Sequence, residues 1–77
     1  MKTEIITTAI AARRQEIALY EVNIANFTHM IGQITEGDEL ANWKTELERR
    51  LADEQREMRK SVMVLQALEA QLASLGE

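Results

Sequence analysis

The side chains with the most chemistry to offer in this 77-residue sequence are one histidine, one group of carboxylates and one set of arginines. His29 is the only histidine. A ligand or acid-base role needs partners at helical spacing, and neither a Glu-x-x-His nor a His-x-x-x-His pattern accompanies it. Heptad counting puts it on an outer helix face, so a solvated residue is expected. Asp53, Glu54 and Glu57 lie on adjacent turns, where carboxylates could share a proton or hold a divalent cation. Arg50, Arg56, Arg59 and Lys60 are interleaved with them, and mutual neutralisation on a wet helix face is the expected outcome. No nucleophile is paired with a base and no glycine-rich phosphate loop occurs, so neither an enzyme nor a metal or other cofactor is expected.

The basic residues support a second chemistry. Arg13 and Arg14, early in the chain, come level with Arg56, Arg59 and Lys60 if the chain folds back on itself, and such a zone could contact phosphates. Glu16, Asp53 and Glu57 fall in the same zone, and net charge is −4. The chain has one Tyr, one Phe and one Trp, all assigned to packing, which leaves no platform for stacking bases. Nucleic-acid binding is therefore the alternative reading.

These residues must be positioned by helices. Ile10, Ile17, Ile24 and Ile31 recur every seven residues, with Arg13, Tyr20, Phe27 and Ile34 a half-repeat behind and Ile6 one step before. That is the a/d spacing of a helix packed lengthwise on another. Proline is absent and only three glycines occur, which suits an all-α chain. Thr3 is the expected cap of a first helix over about 3–35, with Glu4 in its first turn. Gly32 inside the pattern marks either a close helix approach or a weak point.

Thr35-Glu36-Gly37-Asp38 breaks the repeat. Gly37 is expected to end the first helix in the left-handed conformation and Asp38 to cap the second, running from Glu39 to about 75 and stopping at Gly76. A short connection between long helices makes an antiparallel helical hairpin, and residues 1–77 form one domain. The second seam reads Leu40, Leu47, Leu51, Met58, Leu65, Leu68, Leu72 and Leu75, interrupted by Lys44, Glu54 and Ser61. With the turn centred on Gly37, a residue of the first helix lies level with the one whose number completes roughly 74, given antiparallel helices of equal rise. Tyr20 then approaches Glu54, and Arg13 approaches Ser61 and Glu57. Polar pairs of this kind fix alignment at some cost in stability.

Ile6, Ile10, Ile17, Ile24, Ile31, Leu47, Leu51, Met58, Leu65 and Leu72 should build the shared core. Around the turn, Phe27, Met30, Ile31 and Ile34 should meet Leu40, Trp43 and Leu47, with Trp43 closing that end. At the other end Ile5, Ile6, Ala9 and Ile10 should meet Val62, Met63, Val64, Leu65 and Leu68. Four consecutive apolar residues from Val62 point all round the helix, and two helices cannot cover each other that fully. A homodimer forming a four-helix bundle is expected. Trp43, Val62, Met63 and Val64 are the candidate surface for a further protein. No cysteine is present and neither a secretory signal nor a spanning run is read, so a cytoplasmic location is expected and no membrane partner.

In architecture the Thr35 to Asp38 turn between heptad seams is similar to the RNA-binding repressor-of-primer family, whose members are antiparallel dimers of helical hairpins. That likeness is of shape and assigns no site residues. The Arg-Arg-Gln-Glu stretch at 13–16 and the Leu-Glu-Arg-Arg-Leu-Ala-Asp-Glu-Gln-Arg-Glu stretch at 47–57 resemble small accessory proteins from the early regions of temperate lambdoid phages. This resemblance implies a non-enzymatic regulator that binds a host or phage protein.

Overall fold

A computed structural model describes residues 1–76. Helix α1 spans Lys2–Gln33 and helix α2 spans Ala41–Leu75, and they pack antiparallel as a hairpin. The chain forms a rod of 59 × 14 × 13 Å with a radius of gyration of 17.6 Å. A compact domain of this length would have a radius near 11.5 Å, so the shape is that of two helices and nothing more.

The helix ends depart from expectation in three places. Thr3 does not cap α1: the cap residue is Met1, whose carbonyl accepts the Ile5 N–H at 3.2 Å. Thr3 is the second residue of the helix, and its carbonyl accepts the Thr7 hydroxyl. Gly37 does adopt positive φ, at +81°, but it does not close α1. Ile34 ends that helix in an extended conformation. Gly37 instead takes the third position of a separate four-residue turn, closed by the Asp38 N–H on the Thr35 carbonyl at 3.2 Å, where a type II turn requires positive φ. Helix α2 begins at Ala41 rather than Glu39 because Asp38 to Ala41 close one more turn, Ala41 N–H to the Asp38 carbonyl at 3.1 Å. Asp38 is thus not the cap of α2: the cap residue is Leu40, without a side-chain cap bond, and the Asp38 Oδ1 accepts the Leu40 N–H at 2.9 Å within the preceding turn.

The seam is the strict a/d series on both helices. On α1 every position from Ile6 through Ile10, Arg13, Ile17, Tyr20, Ile24, Phe27 and Ile31 to Ile34 is covered or half-covered. On α2 the same holds from Lys44 through Leu47, Leu51, Glu54, Met58, Ser61, Leu65 and Leu68 to Leu72. The three polar interruptions thus occupy seam positions. Among the described residues, only Ile10, Ile34 and Leu47 of the apolar side chains are buried, and Ser61 is the buried polar one. A two-helix rod can cover a side chain from one direction only, so most seam residues stay half-open.

Several residues expected in the packed ends lie outside it. Ile5, Leu40, Met63, Val64 and Leu75 are exposed, and Trp43 stays 44 % exposed instead of closing over Ile31 and Ile34. Leu40 immediately precedes α2 and Leu75 is its last residue. Gly32 is no close approach: a Cβ built there would meet nothing within 4 Å.

Candidate interaction surface

The seam holds a polar cluster near its middle. Arg13 Nη1 donates to Glu16 Oε2 at 2.9 Å and to the Ser61 hydroxyl at 3.2 Å across the seam. The Tyr20 hydroxyl donates to Glu16 Oε1 at 3.2 Å, and Asn23 Nδ2 donates across to Glu54 Oε1 at 2.8 Å. The Arg13 to Ser61 contact confirms the expected register. Tyr20, by contrast, bonds within its own helix, and Glu54 accepts from Asn23 across the seam. Burial first, then the hydrogen bond to Glu16 and the negative charges of Glu16, Glu57 and Glu54, push the Tyr20 phenol above its ordinary pKa of 10.0. Asn23 was not singled out by sequence reasoning, and Glu16 was named only as an acid within the basic zone. The Arg13/Glu16 and Glu16/Tyr20 spacings of three and four residues were the available signal.

The five basic residues of the phosphate-binding reading are placed singly among acids. Arg14 reaches across to Glu69 at 3.1 Å, Arg56 pairs with Asp53 at 2.9 Å and Lys60 with Glu57 at 3.0 Å. Arg13 is held by Glu16 at 2.9 Å. Of the five, only Arg59 has no ion-pair partner among the described residues. Arg50 pairs with Glu46. Asp53 and Glu57 therefore hold cations of their own helix, as the interleaved charges suggested, and Glu54 holds Asn23. His29 is exposed, as expected.

What remains is apolar and open. Ile5, Leu19 and Val22 on α1 and Met63 on α2 are each at least 60 % exposed, and Leu75, Leu40, Trp43 and Val64 are exposed to a lesser degree. Val62 is half-buried. The ten expected core residues all lie on the seam between α1 and α2, buried or half-buried. Leu19 and Val22, which sequence reasoning passed over, line a shallow depression with Ala12, Gln15, Glu16 and Ala18. A second depression at the open end of the hairpin is lined by Lys2, Ile6, Ala70, Gln71, Ser74 and Leu75. Among the described residues no helix is long and apolar enough to cross a membrane. This arrangement offers apolar area for contact. No family model, curated protein or solved structure matches the chain.

Proposed function

We propose that the chain is a non-catalytic helical interaction module that works as a homodimer and regulates by binding another protein, in the cytoplasm. The observation that carries this reading is surface area. A folded monomer of 8.8 kDa should expose about 4,800 Å², whereas this chain exposes 5953 Å². The excess, about 1,200 Å², exceeds the roughly 800 Å² per partner that a stable interface removes from water. Ile5, Leu19, Val22, Trp43 and Met63 are among the large apolar side chains left exposed, which a lone chain of this size has no means of covering. The likeness of residues 13–16 and 47–57 to lambdoid phage accessory proteins supports a host or phage protein as the regulated partner.

Sedimentation of the purified chain is expected to give twice the chain mass. Ile17→Asp or Leu65→Asp, each placing a charge on the seam, should abolish helicity and association together. A compact, well-ordered and solitary chain at high concentration would overturn the proposal. The nucleic-acid alternative draws on Arg13, Arg14, Arg56, Arg59 and Lys60, but four of these already answer a carboxylate, which leaves little net field to attract phosphate. Titration with structured RNA and duplex DNA should give no binding even at low salt. Binding that weakens steeply as salt rises would favour that alternative instead.

A further inference from the structure

The side of α1 turned away from α2 has a heptad repeat of its own. Ile5, Ala12 and Leu19 recur every seven residues, and Thr8, Gln15 and Val22 follow three residues behind. These positions come two residues after seam positions, about 200° round the helix, so they lie nearly opposite the seam. Ile5, Leu19 and Val22 are 65, 60 and 64 % exposed. No residue of this stripe is charged, and Glu16 at its edge is turned to Arg13 and Tyr20. The corresponding outward positions in the first half of α2 are Arg49, Asp53, Arg56 and Lys60, all exposed. The outer side of α2 is therefore dressed for water there, and the outer side of α1 is not.

We infer that α1 pairs through this stripe with α1 of a second copy, antiparallel, so that the two α1 helices lie at the centre of the dimer and the α2 helices outside. A seven-residue apolar repeat fits another helix, because each turn of a packed helix presents its side chains at the same 3.5-residue interval. A second copy fits because the stripe is complementary to itself. With a twofold axis between Arg13 and Arg14, Ile5 faces Val22 of the second copy, Thr8 faces Leu19 and Ala12 faces Gln15. Every stripe position then meets a stripe position. The flanking Ala11 and Ala18 are small enough to let the helices approach closely. The excess area of the chain is sufficient for such a contact, and Trp43, Met63 and Val64 are left for a different protein.

This inference rests on the homodimer reading and is tested apart from it. In sedimentation of the full chain, Leu19→Glu should weaken dimerisation by at least about thirtyfold, the loss expected when an unpaired charge is placed in an apolar contact. Met63→Glu, at an equally exposed site on α2, should leave it unchanged. Cross-linking supplies an independent measure, since the chain has no cysteine of its own. The Ile5→Cys protein should not link to itself, but should form a covalent dimer when mixed with the Val22→Cys protein. A dimer that survives Leu19→Glu and dissociates with Met63→Glu would overturn the α1 seam while the homodimer stands. Self-linking of the Ile5→Cys protein would overturn the antiparallel pairing. A monomeric wild-type chain would remove both readings. If such a monomer bound mixed phosphatidylcholine and phosphatidylglycerol vesicles, and lost them with Leu19→Glu, a lipid surface would replace the second copy.

Discussion

Tyr20 is the residue whose chemistry is most altered by the fold. Its phenol is half-covered and faces Glu16, with Glu54 and Glu57 close enough for their charges to act on it. All of these favour the neutral phenol in the folded chain. The sign of the linkage follows: with the folded pKa above the unfolded one, this contribution is fully present below about pH 10 and is lost as pH rises through the folded value. As this is the only tyrosine, phenolate absorbance reports it without interference. The midpoint should lie above 10.0, Glu16→Gln should bring it down toward that value, and Tyr20→Phe should flatten the alkaline fall of stability. A midpoint at or below the ordinary value would mean that the Glu16 contact does not persist in solution.

At the scale of the elements, two glycines make opposite predictions. Gly32 lies inside α1 with open space around it, so Gly32→Ala should raise stability by about 0.5–1 kcal/mol in thermal or urea unfolding. Gly37 has positive φ, and Gly37→Ala should lower stability by about 1 kcal/mol through backbone strain. The helices themselves, their antiparallel order and their seam were legible because a 3.5-residue repeat over some 30 residues has no competing explanation. Even the polar interruptions belonged to that repeat, and Arg13 found Ser61. The caps were less legible. A threonine near a chain start and an aspartate after a glycine are local signals, and Met1 and the extra Asp38 to Ala41 turn prevailed over them. The outward stripe of Leu19 and Val22 was hidden by its own regularity, since a helix apolar on two faces reads in sequence simply as apolar.

For the whole molecule, the decisive quantity is how little of the chain is covered. Among the described residues, three apolar side chains are buried along a rod 59 Å long. The remaining seam residues gain only part of the roughly 1.5–3 kcal/mol that complete burial of a large apolar side chain provides. A chain in this position should draw folding stability from association, and stability drawn from association depends on concentration. For a dimer of two 77-residue chains unfolding to monomers, a tenfold rise in protein concentration should raise the melting temperature by about 4 °C, given the usual unfolding entropy per residue. The same melt with Leu19→Glu should lose most of that dependence, since an unpaired hairpin unfolds without a change in the number of particles. A wild-type melting temperature that stays constant across two decades of concentration would mean that the hairpin holds itself together alone.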